Sequence, residues 1–555
     1  MSEEKYDTLS QVYVDEVLFG PTQSNTDNEN NNNNMKNNMK NNISINEDKN
    51  KNNIVSFLTD ESDINSIHHR IDKEKYQLAK EREIQATTTD DDGLPSLSHP
   101  LERKICKKMD MFLIPLMGML YFLSNLDKSN IGNAEVAGLS KDIGLVGTQY
   151  NVCVTVFFGT YVIFDPIGTN LLKIMGPPTM MSLCLLCFGV ISLCTAWVKN
   201  YPQLIVVRLL LGAFEGMIYP AINMYLSVCY RREQYALRFA FIFAAACLSS
   251  SFGGLIAYGC STINGSLSSW QYIYIVEGAI SIGFVPFYVF GLSKHLEDSW
   301  FFTKEESQYI VDRYKTMNTF DPDEKFDWFQ VKLAIKDIKT WISAVALFGI
   351  DLTTFGLTVF LPIIITSMGF TNVRAQLMTV PIYFLTAFVF FGCAVWSDHL
   401  RLRSPFIIGA CITTATGISI VLGSQVHGVR YFGVYILCMG IYVNAACNCL
   451  WLSGNNGNYF KRATALGINL FLGSGSGLVS GQIFVASDKP KYTKGLSLCL
   501  GFQILSIIMT VIQFLLYRRE NKRKEAIIDH YQSMNEPIPY DEKLSDMNPE
   551  FRYMY

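Results

Sequence analysis

The stretch Arg208-Leu-Leu-Leu-Gly212-Ala-Phe-Glu215-Gly216 lies inside an apolar run, residues 204–228, that is long enough to cross a lipid bilayer. Seven residues are close to two helical turns, so Arg208 and Glu215 project from one face of the predicted helix. A charge in hydrocarbon costs at least about 2.5 kcal/mol, and such side chains therefore usually face a protein interior or a watery cavity. The stretch indicates a polar path inside a membrane protein.

The composition also favours a membrane protein. Of the 555 residues, 49% are hydrophobic and 17% are charged, whereas soluble proteins carry about 25% charged residues. The net charge of -3 is too small to indicate nucleic acid as a partner. The first hundred residues hold no apolar stretch, so we expect no cleaved signal peptide.

Twelve apolar segments of about 20 residues follow, and each is long enough for a transmembrane helix. They cover residues 111–131, 149–171, 179–197, 204–228, 236–259, 271–292, 341–366, 378–396, 405–424, 431–452, 463–486 and 496–517. A hydrophilic break divides them six and six, a pattern typical of secondary transporters built from two repeated bundles. We predict an all-α membrane protein with twelve transmembrane helices in two six-helix bundles.

The predicted organisation has five parts. Residues 1–107 are polar and rich in asparagine, and we expect them to form a disordered N-terminal tail. The first bundle covers residues 108–293, a central loop covers 294–340, the second bundle covers 341–517, and a C-terminal tail covers 518–555.

Basic residues in the loops predict the orientation. Those on one side are Arg103, Lys104, Lys107, Lys108, Arg231, Arg232, Arg238, Arg401, Arg403, Lys461 and Arg462. By the positive-inside rule this side, with both termini, is cytoplasmic. Three lysines at 489, 491 and 494 disagree, but the order of the earlier spans outweighs them. The sequon at Asn264 would lie outside and is a candidate glycosylation site.

Cysteine and histidine offer little chemistry within the membrane. Most of the 14 cysteines lie in apolar runs, and we interpret them as packing thiols. The seven histidines fall outside the predicted spans, so none is placed to act as an intramembrane metal ligand or proton relay. We therefore predict no metal site, no cofactor and no enzyme activity, and carboxylates must carry any proton.

A second charged motif ends the first span, where the chain reads Leu126-Asp127-Lys128-Ser129-Asn130. It offers a protonatable carboxylate beside an anion anchor. Adjacent helical residues point about 100° apart, so Asp127 and Lys128 need not pair with each other. The alternative is snorkelling at a helix end. For Arg208 and Glu215 the alternative is a structural ion pair.

Other polar residues inside the spans are weaker candidates. We expect Asp165, Glu277 and Asp351 to serve packing or gating. Asn444 and Asn448 form a polar stripe on one helix that is suited to lining a cavity, and we predict substrate contacts for them.

A short charged turn separates the eighth and ninth spans. We predict that its Asp398 and Arg401 form a gate latch.

These features together resemble a known family. The twelve spans, the motif at 126–134, the segment from Arg208 to Pro220 and the basic loop at 231–238 are similar to the anion:cation symporter family of the major facilitator superfamily, which includes the fungal allantoate permeases. The resemblance covers about residues 105–520. Three further stretches, 87–93, 164–170 and 546–555, resemble the members of this family that import nicotinic acid (nicotinate).

The resemblance implies symport of a small organic anion with protons across the plasma membrane by alternating access. Import of nicotinate would supply NAD biosynthesis. Proton coupling then falls on Asp127 and Glu215, and handling of the anion falls on Lys128 and Arg208. The family commonly has arginine at the position of Lys128, and lysine holds a carboxylate as a point charge rather than through a fork.

Neighbouring residues complete the predicted substrate site. Asn130 follows the first motif, and Tyr121 and Tyr219 are expected to stack on the substrate ring. The predicted partners are the organic anion, protons and the lipid bilayer, with one chain as the transport unit. Another anion of the family (allantoate, pantothenate, biotin or a sulfur compound) and a non-transporting nutrient receptor remain alternatives.

Overall fold

The computed structural model describes residues 100–555, apart from 231, 264, 317–326, 401, 490, 535–537 and 539–545. This part contains 12 helices that are long and apolar enough to cross a membrane. The prediction of an all-α membrane protein with twelve transmembrane helices is confirmed. The predicted disordered tail lies outside the described residues as far as residue 99.

The membrane helices are longer than the apolar segments that predict them. They are α1 (Leu101–Val136), α2 (Gln149–Met175), α3 (Pro177–Thr195), α4 (Tyr201–Cys229), α5 (Leu237–Ser261), α6 (Ser269–Gly291), α7 (Ile338–Ser367), α8 (Asn372–Leu400), α9 (Ser404–Gly423), α10 (His427–Gly454), α11 (Phe460–Ile483) and α12 (Thr493–Ser533). Three histidines predicted in loops or tails, His399, His427 and His530, consequently lie in terminal turns of helices.

Helix α4 is broken in its middle. It consists of the helices Tyr201–Gly216 and Ile218–Cys229, which meet at Met217. Pro220 follows the break closely, lacks a backbone N–H, and its ring clashes with the carbonyl of the residue four positions earlier. The break follows directly on the charged stretch that contains Arg208 and Glu215.

Helices α1–α6 form the first bundle and α7–α12 form the second. Across the interface α1 packs on α7, α2 on α11, and α5 on α8. Twelve crossings return the chain to the side on which it began, so both described ends lie on one side. We call this the tail side and the opposite one the far side.

Hydrogen bonds between the bundles gather at the far side. The Asn151 side chain on α2 donates to the backbone oxygens of Gly481 and Phe484, at 2.7 and 3.0 Å. Gln376 on α8 donates to the Asn133 carbonyl on α1 at 3.2 Å. Gly132 lies so close to the Val359 carbonyl that no Cβ would fit between them. The two bundles therefore meet tightly at their far ends.

On the tail side, the first half of the central loop docks on α1. Glu306, in the helix Lys304–Thr316, pairs with Lys108 at 2.6 Å and with Lys104 at 3.0 Å. Burial alone would raise the pKa of Glu306, but hydrogen bonds from Lys108, from the Thr303 backbone and from Lys104 outweigh it and lower the pKa to about 2. The carboxylate therefore stays ionised and holds the loop.

The C-terminal segment packs against the second bundle. Helix α12 continues past residue 517 to Ser533 because the polar stretch that follows is rich in helix-favouring Arg, Lys and Glu. Further on, Asp546 pairs with the buried Lys461 at 2.8 Å. The Asn455 side chain accepts from the Met554 N–H at 2.7 Å. The region predicted as a C-terminal tail is thus ordered over the described residues 546–555.

Candidate functional site

The four charged residues predicted for proton coupling and anion handling are all buried in the first bundle. Asp127 and Lys128 lie on α1, while Arg208 and Glu215 lie on the first half of α4. Charge at this depth is costly, so each group needs partners. Those partners decide what the site is able to do.

Asp127 and Glu215 form a carboxyl pair. The two side chains lie within hydrogen-bonding distance of each other. Ser192 on α3 donates to Asp127 Oδ1 at 2.7 Å. Among the side chains that the structure describes, neither oxygen of Glu215 has a donor. Two adjacent buried carboxylates repel when both are ionised, so this arrangement favours one proton between them.

Lys128 contacts α2. Its Nζ lies 3.2 Å from Tyr161 Oη and 4.4 Å from the centroid of the Tyr161 ring. It is also within electrostatic range of Glu215, Asp165 and Asp127. An ammonium group held mainly by a neutral phenol retains capacity to bind an anion.

Arg208 is turned into the first bundle. Its Nη2 donates to Tyr274 Oη on α6 at 2.5 Å, and its side chain is 1% exposed. Asp127 and Glu215 are within electrostatic range of the guanidinium. In this conformation Arg208 is placed as a counter-charge to the acid pair, behind the surface that faces the second bundle.

The glycines of the opening stretch bring α4 against α2. A Cβ at Gly212 would overlap the Phe157 carbonyl, and one at Gly216 would overlap the Tyr161 carbonyl. At these two glycines α4 therefore packs closely against α2. It sets the position of Tyr161, the partner of Lys128.

The two predicted tyrosines lie together. Tyr121 on α1 and Tyr219 on α4 stack with ring centroids 5.3 Å apart and an interplanar angle of 28°. Phe243 on α5 contacts both rings, at centroid distances of 5.7 and 6.0 Å. These rings form an aromatic wall on the path between the two motifs.

The predicted asparagines lie elsewhere. Asn130 is fully buried, and neither atom of its amide has a partner in the described part of the chain. Asn444 contacts Cys411 Sγ on α9 at 3.5 Å. Asn448 accepts from Ser343 Oγ and Asn469 Nδ2, both at 3.1 Å. The contacts of Asn444 and Asn448 thus fall within the second bundle, away from the charged residues of the first.

The predicted gate turn is held by a residue that the prediction omitted. Asp398 accepts from Arg403 Nη2 at 2.6 Å. Its other predicted member, Arg401, lies outside the described residues, as does the sequon residue Asn264.

Three acids expected to pack or gate also lie near this site. Ser474 on α11 donates to Asp165 Oδ2 on α2 at 3.5 Å, so this contact crosses the interface between the bundles. Glu277 on α6 is buried, and both its oxygens lack a donor in the described chain. Asp351 on α7 lies against Gly473 of α11. Each of these acids stands out in the sequence because it lies within an apolar run. The sequence does not show which residues of the other helices each acid contacts.

Within the described part of the chain, no metal centre accompanies these acids. In the part of the chain described, no group of three His, Cys, Asp or Glu side chains is placed to hold a metal ion. All 14 cysteines are described, and all are free thiols.

Comparison with protein families and with other sequences gives a consistent picture. The model of the Major Facilitator Superfamily matches residues 117–481. The high-affinity nicotinic acid transporter of Saccharomyces cerevisiae is 81% identical over 501 residues, which cover 90% of this chain and 94% of that protein. An uncharacterised transporter of Schizosaccharomyces pombe is 34% identical over 82% of this chain and 95% of its own length.

Solved structures agree on the fold. The E. coli xylose transporter XylE, in a partially occluded inward-open conformation, has a TM-score of 0.58 at 12% identity and covers 72% of this chain and 97% of its own. The proton:xylose symporter XylE bound to a bromodeoxyglucose has a TM-score of 0.60, also at 12% identity, over 72% of this chain and 95% of its own. At such identity the likeness concerns the fold alone.

Proposed function

Since this chain belongs to the major facilitator superfamily, we propose that it is a secondary transporter that imports nicotinate together with protons. The evidence for nicotinate as the substrate is the 81% identity with the yeast high-affinity nicotinic acid transporter over nine-tenths of the chain. Relatives and family are transporters, so the chain is a transporter and not an enzyme.

The tail side is proposed to be cytoplasmic and the membrane to be the plasma membrane. Arg103, Lys104, Lys107 and Lys108 at the start of α1 support this orientation through the positive-inside rule. We call the tight contact between the bundles at the far side, which includes Gly132, Asn151 and Gln376, the far-side closure. With this orientation, the far-side closure separates the site from the outside. The conformation described here would then face inward.

Glu215 and Asp127 are proposed as the proton carriers. Their contact, together with the missing donor for Glu215, supports a site that exchanges a proton when its surroundings change. Arg208, within electrostatic range of both acids, would stabilise the pair whenever the proton has left. Its role in anion handling is then indirect.

Lys128 is proposed as the anchor for the nicotinate carboxylate. It is the charged group of the motif that faces α2 and the interface, and its partner Tyr161 is neutral. The aromatic wall of Tyr121, Tyr219 and Phe243 is proposed to pack against the pyridine ring. One chain contains both bundles, so a single chain suffices as the transport unit.

The membrane potential makes accompanying protons necessary for the accumulation of an anion. An inside-negative potential opposes entry of an anion by about 2.3 kcal/mol per charge per 100 mV. One accompanying proton cancels the charge, and a second makes entry electrically favourable. A transporter that accumulates nicotinate therefore needs an acid that couples the two movements.

Uptake of labelled nicotinate into cells that lack their own permease tests the proposal. We expect saturable accumulation that increases as the external pH falls and collapses with a protonophore. Excess allantoate, pantothenate or biotin should not compete. Binding without accumulation would support a receptor instead, and stronger competition by one of the other anions would reassign the substrate.

A further inference from the structure

Asp351 is an acid of the second bundle that the proposed transport site does not use. It lies in the middle of α7 (Ile338–Ser367) and is partly exposed, whereas the residues on either side of it, Ile350 and Leu352, are fully buried. A Cβ on Gly473 of α11 would lie 2.7 Å from Asp351 Oδ2. The glycine therefore makes room for this carboxyl between α7 and α11.

The groups that face Asp351 come from both bundles. Tyr121 on α1 and Tyr161 on α2 are within electrostatic range, as is Cys449 on α10. Tyr121 belongs to the aromatic wall, and Tyr161 holds Lys128. Asp351 thus lies across the interface from the groups proposed to hold the ring and the carboxylate of the substrate.

Asp351 has no hydrogen bond and no ion pair among the residues that the structure describes. A carboxyl group within a membrane span that has no partner is costly, and such groups commonly mark a substrate or ion pathway. Because Asp351 is partly exposed, its carboxyl group is accessible to a ligand.

We propose that Asp351 recognises the ring nitrogen of the substrate and so determines specificity. This inference rests on the proposed function, in which Lys128 holds the nicotinate carboxylate. A carboxyl group and a pyridine nitrogen share one proton in either of two forms, an O–H donor to the nitrogen or an N–H donor to the carboxylate. No bond other than this hydrogen bond forms. Benzoate has the same shape and charge as nicotinate but offers no nitrogen.

The test compares nicotinate and benzoate binding to purified protein in detergent, measured as ligand-dependent thermal stabilisation. We expect the native chain to prefer nicotinate by about tenfold or more, the factor that one good hydrogen bond carries. Asp351→Val should bring the ratio close to one by weakening nicotinate and leaving benzoate nearly unchanged. Asp351→Asn retains an N–H donor and is the matched control, in which the preference should persist.

The outcomes separate this inference from the proposed function. If the native chain binds nicotinate with no preference over benzoate, or if Asp351→Val keeps the native ratio, Asp351 does not read the ring nitrogen. If the native chain binds neither compound, nicotinate is not its substrate and the inference fails along with the proposed function. Because binding is measured without transport, a variant that no longer moves between conformations still gives a result.

Discussion

Glu215 differs from Lys128 and Arg208 in that its side chain lies beside another acid, Asp127. Lys128 has Tyr161 and Arg208 has Tyr274, but Glu215 meets Asp127 and no donor in the described chain. A permanently neutral side chain at this position removes the exchangeable proton while keeping the shape. We therefore place the coupling at this pair.

We expect Glu215→Gln to keep nicotinate exchange across the membrane and to lose accumulation driven by a pH gradient. A gradient of one pH unit is worth about 1.4 kcal/mol, or tenfold accumulation, per coupled proton. Uptake and counterflow in the same vesicles measure the two properties. Glu135→Gln is the control, because Glu135 is partly exposed on α1 and bonds Ser140. Unchanged pH-driven accumulation in Glu215→Gln would remove this residue from the coupling.

Sequence was sufficient to find the charged residues of the site but not their partners. A charge in an apolar run stands out because hydrocarbon penalises it. Ser192, Tyr161 and Tyr274 are ordinary residues of membrane helices, and only the packing of α3, α2 and α6 against α1 and α4 brings them to Asp127, Lys128 and Arg208. For the same reason the sequence does not predict that the hydrogen bonds of Asn444 and Asn448 lie within the second bundle.

At the scale of helices, the contact of α4 with α2 depends on two glycines. Gly216→Ala would put a methyl group against the Tyr161 carbonyl and push the helices apart. Such overpacking typically costs about 1 to 3 kcal/mol. We expect a lower thermal midpoint and weaker nicotinate binding, because Tyr161 also holds Lys128.

Gly259→Ala is the matched control for that change. Gly259 lies in α5, and a Cβ there would meet no atom within 4 Å. It should leave both the thermal midpoint and binding near native values. Equal effects from the two substitutions would mean that the α2–α4 contact has no special role.

Hydropathy predicts the positions of the membrane helices but not where the helices and the ordered C-terminal segment end. The twelve apolar segments locate the membrane helices because the bilayer sets their minimum length. Helix α12 nevertheless runs on to Ser533, and residues 546–555 dock on the second bundle through Asp546 and Met554. Polar helix formers and buried ion pairs carry no hydropathy signal, so the sequence pattern could not predict this order.

For the molecule as a whole, alternating access requires the far-side closure to open and re-form in each cycle. Gly132 lies at the α1–α7 contact, where the Val359 carbonyl leaves no space for a Cβ. Gly132→Val should therefore prevent this closure and hold the bundles apart on the far side. Gly283→Val in α6, at a position with no atom within 4 Å of a Cβ, is the control.

We expect Gly132→Val cells to bind nicotinate from outside but to accumulate at least about tenfold less than native cells, since the inward-facing state would be lost.

Gln376, which is 1% exposed and belongs to the same far-side closure, provides a second readout. A cysteine introduced by Gln376→Cys, in a chain whose exposed Cys194 is replaced by Ser, should react with a membrane-impermeant maleimide faster in the Gly132→Val background than in the native and Gly283→Val backgrounds, in which the closure re-forms in each cycle. Equal reaction rates in all three backgrounds would mean that Gly132→Val does not hold the far side open. Because the reagent reaches only the outside of intact cells, reaction in the Gly132→Val background would also show that the far side is extracellular, as the basic residues at the start of α1 predict.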